Sequence, residues 1–350
     1  MKNLLIRFFL FLFRSRKRNG NTKRILVVST TALGDTLWAT PSLSSLKKHF
    51  DFVAVLTSPL GAKIFQNNPN IDKQFVLTEP VLFSFFSLFR ALRKERFDTI
   101  LIFHSSQRLT LPLCSLLGAS KIVGTTSINK GLDSLLTDPV PKRSCHEIER
   151  RFEVLQKIGL TPEQTDLQIF LTEGEKRDAH TFLKKKKWTD KPLVVIHPGA
   201  KDGYKCWPKK HFIQLGNTIN NAFDCHLLIS STPDEKQRAE EISSQIPNSH
   251  LLMLPLRMFA SVLAQSDLLI SNDTGPMHLA CSVQCPTVAI FSPTDPKLCG
   301  PLNVEKAHVL SKKRSCNPCI RRKCKVPFCL LQISPDEVFQ KCQTFLAAKT

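Results

Sequence analysis

A polar junction within residues 267–293 is the clearest candidate for a ligand site in the sequence. The letters NDTGP separate an apolar run of strand length from a helical pattern, which is how a buried strand leads into a helix. Thr274 or Asp273 can cap that helix, and Gly275 lets a ligand approach the backbone. The first amide groups and the positive end of the helix dipole would then bind an anion above the strand.

The same junction has a simpler interpretation. Asp273 can be an ordinary helix cap and His278 a buried, hydrogen-bonded histidine, with neither side chain contacting a ligand. The junction by itself leaves both interpretations open.

A second loop, HPGAKDGYKCWP, follows another predicted strand and contains residue types that bind phosphate. Lys205 can place a point charge on a phosphate, and Gly199 permits close approach of the backbone. Neither G-x-G-x-x-G nor G-x-x-x-x-G-K-[ST] occurs, so the fingerprints of dinucleotide oxidoreductases and P-loop NTPases are missing. The chain also contains no Asp-x-Asp, so a Mg²⁺ ion held between two close carboxylates and a diphosphate is not indicated.

Four cysteines near the C-terminus, Cys316, Cys319, Cys324 and Cys329, form the array C-x2-C-x4-C-x4-C. Four thiols at this spacing could hold zinc tetrahedrally. The basic residues around them also favour thiolate formation and oxidation. A basic, cysteine-rich tail is a third alternative as a small nucleic-acid module, although it lacks interleaved aromatic residues. Because the chain is large and no export signal is evident, we expect its twelve cysteines to be reduced.

The net charge of +20 is concentrated in two blocks. Residues 1–24 contain eight basic residues and no acid, and residues 312–325 contain seven basic residues and no acid. Such patches attract nucleic acid, an anionic membrane or a phosphorylated substrate. The apolar run from Leu4 to Phe13 is too short to span a bilayer and has no small-residue cleavage site after it. It is predicted to be a helix on the membrane surface, the alternative being a disordered or packed tail.

Strand and helix patterns alternate twice along the 350 residues, which predicts an α/β protein with two Rossmann-like, doubly wound domains facing a cleft. The predicted helix over residues 81–96 has more phenylalanines than one core-facing stripe needs, so it indicates either core packing or a face for lipid. The predicted organisation is a basic and apolar N-terminal segment (1–23), an N-terminal domain (24–165), an interdomain linker region (166–191) and a C-terminal domain with the cysteine-rich tail (192–350).

Three motifs and the cysteine-containing tail occur in the order and spacing of a known family. The motifs are ALGDTLWATPSLSSLKKHF, HPGAKDGYKCWPKKHFIQLG and SNDTGPMHLACSVQCPTVAIFSPTDP. Over about residues 24–346 the chain resembles glycosyltransferase family 9, the bacterial ADP-heptose:lipopolysaccharide heptosyltransferases. The resemblance implies two Rossmann-like domains in the GT-B arrangement, transfer with inversion at the anomeric carbon, and no metal or other cofactor.

The resemblance also implies roles for individual residues. Asp35 would be the general base that takes the proton from the acceptor hydroxyl, with an ordinary helix N-cap as the alternative for this residue. Lys205 and the amides of Thr274 and Gly275 would stabilise the departing diphosphate, with His278 as a further donor. Asp35 is expected to face that diphosphate across an interdomain gap.

Two further features of the donor loops follow from the resemblance. Glu235 matches a position that the family uses near the nucleoside, which implies a contact with adenosine or ribose. Ala200 and Lys201 stand where some members have hydroxyl residues near the phosphates, so this part of the donor contact has no counterpart here.

The implied reaction moves heptose from ADP-heptose to the inner core of lipopolysaccharide, on a phosphorylated lipid A–Kdo acceptor. The N-terminal domain would bind the acceptor and the C-terminal domain the nucleotide sugar. We expect a cytoplasmic enzyme, peripheral on the anionic cytoplasmic face of the bacterial inner membrane, with no nucleic acid partner. The alternatives are a family 9 transferase with another nucleotide sugar or acceptor, and a non-catalytic nucleotide- or nucleic-acid-binding protein.

Overall fold

The computed structural model describes residues 22–78, 81–105, 107–303, 305–314, 316–325 and 327–347. The chain divides into two compact units, an N-terminal unit (residues 1–170) and a C-terminal unit (residues 171–350). The predicted surface helix from Leu4 to Phe13 lies outside the described residues. Within the described part of the chain, no helix combines the length and the apolar character needed to cross a bilayer.

In the N-terminal unit, the described residues form a parallel sheet of six strands. The strands are β1 (Arg24–Ser29), β2 (Phe52–Thr57), β3 (Lys73–Val76), β4 (Thr99–His104), β5 (Lys121–Thr125) and β6 (Asp138–Val140), in the order β3-β2-β1-β4-β5-β6. The helices are α1 (Leu33–Leu37), α2 (Pro41–His49), α3 (Pro59–Phe65), α4 (Val81–Lys94), α5 (Thr110–Ser115) and α6 (Glu147–Gln156).

Strand β1 shows why this sheet is covered on both faces. Leu26 and Val28 belong to one hydrophobic cluster, whereas Ile25 and Val27 belong to another. Because successive side chains of a strand point to opposite faces, the two clusters lie on opposite sides of the sheet. Parallel sheets buried in this way read as near-continuous apolar runs, as the sequence RILVVS does.

The C-terminal unit repeats the same topology. Its strands are β7 (Leu193–His197), β8 (His226–Ser230), β9 (Ser249–Leu252), β10 (Leu268–Asn272), β11 (Thr287–Phe291) and β12 (Ala307–Ser311), in the order β12-β11-β10-β7-β8-β9. Its helices are α7 (Glu173–Lys185), α8 (Lys209–Ala222), α9 (Lys236–Ser243), α10 (Leu256–Leu263), α11 (Gly275–Ser282), α12 (Pro296–Cys299), α13 (Phe328–Leu331) and α14 (Pro335–Leu346). Read from the other edge, this order matches that of the first sheet. In each sheet the first and fourth strands are therefore neighbours, which makes the point between them a topological switch.

The predicted α/β class with two Rossmann-like units is confirmed. Strands β6 and β12 were not predicted. Strand β6 has only three residues, one of them proline, and β12 is an edge strand whose residues are mostly half-buried. In helix α4, Phe85 and Phe89 pack partly buried against the core that contains Leu88 and Leu92, as core packing predicts. Phe86 is 68% exposed, and a lipid contact of this helix stays a prediction.

The boundary between the units falls between residues 170 and 171, inside the region predicted as a linker. That region also contains α7, whose start is fixed by a capping box. The Thr172 hydroxyl accepts a hydrogen bond from the amide of Glu175, and the Glu175 carboxylate accepts one from the amide of Thr172. Arg257 of α10 donates to the same carboxylate at 2.5 Å, so α7 packs as part of the C-terminal unit.

Candidate active site

Asp35 lies directly after the switch-point strand β1, in the first turn of α1. The N-cap of α1 is Ala32, so the alternative interpretation of Asp35 as a helix N-cap is wrong. About 20% of the Asp35 side chain is exposed. A carboxylate at this edge of the sheet is therefore accessible to a ligand but partly shielded from water.

Arg151 of α6 forms an ion pair with the Asp35 carboxylate. Its side chain is fully buried, and its Nη2 lies 3.3 Å from Oδ1 of Asp35. Its Nη1 donates to the backbone oxygen of Glu147 at 2.7 Å and also forms an ion pair with the Glu147 carboxylate. The guanidinium carbon lies 5.3 Å from the ring centroid of Trp38. Arg151 is thus fixed on three sides and limits the orientations of Asp35.

The charge of Glu147 is matched to this arrangement. Burial raises the pKa of the Glu147 carboxyl, but Arg151 and Arg150 lower it further, and the net result is a pKa below the ordinary value. The carboxylate is therefore ionised at neutral pH and keeps Arg151 in place.

His104, the last residue of β4, stands at the neighbouring strand end. Its Nδ1 lies 3.1 Å from Oγ1 of Thr31. Burial lowers the pKa of His104 below the ordinary value, against the opposing effect of Asp35. The imidazole is therefore neutral at neutral pH and can exchange hydrogen bonds next to the carboxylate.

Neither Arg151 nor His104 was predicted as a site residue. The signal for Arg151 is its position on the apolar side of α6, three residues after the buried Ile148 and four before the buried Leu155. An arginine at such a position is buried only with partners, which indicates a charge nearby in the fold. The signal for His104 is its place at the end of a strand next to β1.

In the C-terminal unit, Lys205 and Asp273 come together at the switch point between β7 and β10. Lys205 ends a 3₁₀ turn in the loop after β7, and Asp273 follows β10. The Lys205 Nζ lies 2.5 Å from Oδ2 of Asp273, with 22% of the lysine side chain and 6% of the aspartate side chain exposed. Burial lowers the pKa of Lys205, but the Asp273 carboxylate outweighs it, so the pKa lies above the ordinary value. Lys205 is a fixed cation at the place where a phosphate was predicted.

Thr274, Gly275 and His278 surround the start of α11. Thr274 occupies the N-cap position with an extended backbone, and its side chain makes no capping hydrogen bond. The helix begins at Gly275, and His278 is buried in its first turn. The helix start that was predicted to bind an anion is therefore present, directly after the aspartate that holds Lys205.

Glu235 and Gly199 meet in a second group of the C-terminal unit. The Glu235 carboxylate accepts hydrogen bonds from the amide and the hydroxyl of Thr232, at 3.2 and 2.7 Å. A Cβ atom at residue 199 would lie only 2.3 Å from the Glu235 carboxyl carbon. A side chain at residue 199 would displace the Glu235 carboxylate, so Gly199 leaves room for it here; the close approach of a ligand to this backbone stays a prediction.

His197 supports Glu235 from the end of β7. Its Nδ1 lies 3.1 Å from Oγ of Ser230, and its Nε2 lies 3.6 Å from Oε2 of Glu235. Burial lowers the pKa of His197 to about 4, despite the nearby Glu235 carboxylate. A neutral ring that is 2% exposed therefore stands behind the residue expected to bind the nucleoside.

Asn272, the last residue of β10, contacts the loop that follows β7 and was not predicted as a site residue. Its side-chain amide donates to the carbonyl oxygens of Pro198 and Gly199, at 2.9 and 3.1 Å, and accepts from the amide of Trp207 at 2.9 Å. The side chain is fully buried. It fixes the loop that contains Lys205 against the strand end that provides Asp273.

Of the four tail cysteines, Cys316 is exposed, Cys319 and Cys324 are half-buried, and Cys329 is buried. Within the described ranges, no three or more His, Cys, Asp or Glu side chains are arranged to hold a metal ion. Zinc binding by this tail stays a prediction without geometric support. The predicted approach of Asp35 to the diphosphate also stays a prediction, because it concerns residues of different units.

Comparisons with known proteins identify the family of this chain. The family model "Glycosyltransferase family 9 (heptosyltransferase)" matches residues 85–329. The lipooligosaccharide heptosyltransferase 2 of Campylobacter jejuni is 24% identical over 337 residues, which cover 92% of this chain and 98% of that protein. The lipopolysaccharide heptosyltransferase 3 of Escherichia coli K12 is 23% identical over 277 residues, which cover 75% and 80% of the two chains.

Solved structures have the same fold. A family 9 glycosyltransferase from Veillonella parvula superposes with a TM-score of 0.83 at 22% identity, covering 95% of this chain and 100% of that one. The ADP-heptose lipopolysaccharide heptosyltransferase II of E. coli superposes with a TM-score of 0.75 at 18% identity, covering 93% and 99%. Because the family model matches more than half of its length, the chain belongs to glycosyltransferase family 9, the heptosyltransferase family, and is a glycosyltransferase.

Proposed function

We propose that this protein transfers heptose from ADP-heptose to the inner core of lipopolysaccharide, with inversion at the anomeric carbon and without a metal ion. The observation that carries the proposal is the pair of complementary groups at the two switch points. Asp35 is a partly exposed carboxylate after β1, and Lys205 is a partly exposed cation after β7. These are the base and the cation for the leaving diphosphate that a single displacement at a sugar diphosphate requires.

In the proposed reaction, Asp35 accepts the proton of the acceptor hydroxyl as its oxygen attacks the anomeric carbon. The bond from that carbon to the ADP oxygen breaks, and the negative charge develops on the diphosphate. Lys205, the amides of Thr274 and Gly275, and His278 stabilise that charge. The permanent charge of Lys205 supplies the neutralisation that a divalent cation provides in other transferases.

ADP-heptose is the proposed donor for two reasons. One related solved structure is that of an E. coli heptosyltransferase with ADP-2-deoxy-2-fluoro heptose, and another is named an ADP-heptose lipopolysaccharide heptosyltransferase. In this chain, Glu235 has a carboxylate oxygen suited to a ribose hydroxyl, and the carboxylate accepts a hydrogen bond from the Thr232 hydroxyl. Hydroxyl groups of a ribose donate readily to such a fixed carboxylate.

We further propose that the enzyme works on the cytoplasmic face of the inner membrane, where a phosphorylated lipid A–Kdo acceptor is embedded. The support is the concentration of positive charge in residues 1–24 and 312–325, together with the apolar run from Leu4 to Phe13. An anionic membrane attracts such segments, and no nucleic acid partner is needed to explain them.

The test is incubation of the purified full-length chain with ADP-heptose and defined acceptors, followed by product mass. Addition of one heptose residue to a lipid A–Kdo acceptor, with release of ADP, is the expected result. Transfer only from another nucleotide sugar, or only to another acceptor, would replace the proposed substrates within the family. Binding of DNA or RNA with a steep salt dependence and no transfer would support the non-catalytic alternative instead.

A further inference from the structure

The cysteine-rich tail encloses a pocket that the proposed reaction does not use. The pocket has a volume of about 380 Å³, and its lining includes the four tail cysteines, Tyr204 and Pro293. Its lining is almost entirely apolar, since thiols in such surroundings behave as small hydrophobic groups. Volume and lining are in the range of sites that bury a small hydrophobic ligand.

Two large side chains at this pocket are exposed to water. Ile320 is 52% exposed and Phe328 is 63% exposed, and both line the pocket. Large apolar side chains that are grouped around a concave apolar surface mark a place where another apolar surface binds. A sugar or a nucleotide phosphate would gain little from such a lining.

The tail segment beside the pocket is basic. Lys325 lines the pocket and is exposed, and Lys313, Arg314 and Lys323 of the same block are exposed as well, whereas Arg322 is paired with Asp202 and Lys312 with Glu337. Residues 312–325 contain no acidic residue. Four exposed cations along one segment are more than a single phosphate can contact, and they match a surface of many negative charges.

We propose that this pocket accepts an acyl chain of an anionic phospholipid of the bilayer, with the basic residues of the tail on the lipid headgroups. The tail is then a membrane contact of the C-terminal unit, far in sequence from the Lys205 loop but close to it in space, because Tyr204 lines the pocket and Arg322 pairs with Asp202 at 3.0 Å. The proposal rests on the membrane-surface location proposed above and not on the transfer chemistry. A nucleic acid is a poorer match, since base stacking needs a series of aromatic side chains.

The experiment uses the full-length chain with the fluorophore bimane attached to Cys316, the exposed cysteine of the pocket. Vesicles of phosphatidylglycerol and phosphatidylcholine should shift the bimane emission to shorter wavelength and raise its intensity severalfold. Vesicles of phosphatidylcholine alone, and soluble glycerol phosphate, should leave the emission unchanged. A phospholipid with a photoreactive group in its acyl chain should label the peptide that spans residues 316–329 in the unmodified protein.

Matched variants separate the pocket from general surface effects. Ile320→Ser with Phe328→Ser should abolish the emission shift, and Lys323→Gln with Lys325→Gln should weaken the lipid affinity about tenfold. The controls are Leu251→Ser with Met253→Ser, which removes similarly exposed apolar groups of the same unit, and Lys184→Gln with Lys185→Gln, which removes two cations of α7. Both controls should retain the shift.

Three results would overturn the proposal. One is binding of the protein to anionic vesicles with unchanged bimane emission and no labelling of the tail, which leaves the membrane location intact. A second is an equal shift with glycerol phosphate, which indicates an anion without an acyl chain. A third is one zinc ion per chain bound by the four thiols, with the pocket closed to lipid. Transfer to a deacylated, water-soluble acceptor is measured separately, so a failed heptose transfer is distinguishable from a failed lipid site.

Discussion

The switch points of the two units use the same device with opposite charges. In the N-terminal unit, a carboxylate that is 20% exposed, Asp35, is backed by a guanidinium that is fully buried, Arg151. In the C-terminal unit, an ammonium that is 22% exposed, Lys205, is backed by a carboxylate that is 6% exposed, Asp273. Each unit therefore has one partly exposed charged group that is paired with a more deeply buried counter-ion.

This difference in sign suits different tasks. A carboxylate at the end of a sheet can accept a proton, and its buried counter-ion restricts its orientation. An ammonium in the equivalent place can only attract and stabilise negative charge, next to a helix start that does the same. On the proposed function, one topology would thus supply proton transfer in the first unit and diphosphate binding in the second.

The comparison predicts the largest effect for Asp35→Ala. Turnover should fall about a hundredfold or more, the magnitude expected for a missing general base. ADP binding should stay unchanged, because the residues proposed to bind the diphosphate belong to the C-terminal unit. Steady-state kinetics and calorimetric titration with ADP measure the two quantities. The exposed Asp51→Ala of the same unit serves as the control, and a variant at residue 35 with undiminished turnover would remove this carboxylate from the mechanism.

Lys205→Ala should affect both binding and rate. Loss of a charge-assisted contact to the diphosphate should lower kcat/KM for the donor roughly 10- to 100-fold and weaken ADP binding. The change also leaves Asp273 buried without its partner, so the melting temperature should fall as well. Lys201→Ala in the same loop is the matched control, because that lysine is exposed and lies outside the ion pair. Equal losses in both variants would show that general loop charge, rather than the fixed cation, binds the donor.

Arg151 tests whether the buried counter-ion positions the base. Arg151→Met should lower kcat about tenfold without changing the affinity for ADP, because Asp35 remains but its orientation is no longer restricted. Arg151→Lys retains a cation and should restore part of the rate, which a purely structural role would not explain. If both variants lose stability and neither loses turnover per folded molecule, then Arg151 only stabilises the fold.

Both units have features that the sequence predicted and others that it did not. Lys205 and the helix start at Thr274 and Gly275 were predicted because each follows an apolar run and is marked by glycine, proline or a capping residue, whereas Asp35 was predicted from the family resemblance. Their partners were missed, since Arg151 lies 116 residues from Asp35 and no local pattern links them. The pairing of Lys205 with Asp273 spans 68 residues and depends on two parallel strands that become neighbours only in the sheet.

The smallest predicted effect concerns His197, the neutral ring behind Glu235. Its pKa is about 4 in the folded protein and about 6.5 in an unfolded chain. Between these values the unfolded chain binds a proton that the folded protein does not, so stability should be fully present above pH 6.5 and decrease as the pH falls towards 4. His197→Gln places a neutral polar group at this position that cannot titrate, so its melting temperature should fall less steeply over this range than that of the unmodified protein. His180→Gln, a change at an exposed histidine, should keep the original slope.

Thermal unfolding of the three proteins at half-unit pH intervals measures the slopes, and identical slopes would mean that the His197 ring is protonated without cost. The N-terminal unit provides the contrast, because its neutral histidine, His104, lies beside Asp35, the proposed base, whereas His197 lies beside Glu235, the proposed contact of the nucleoside.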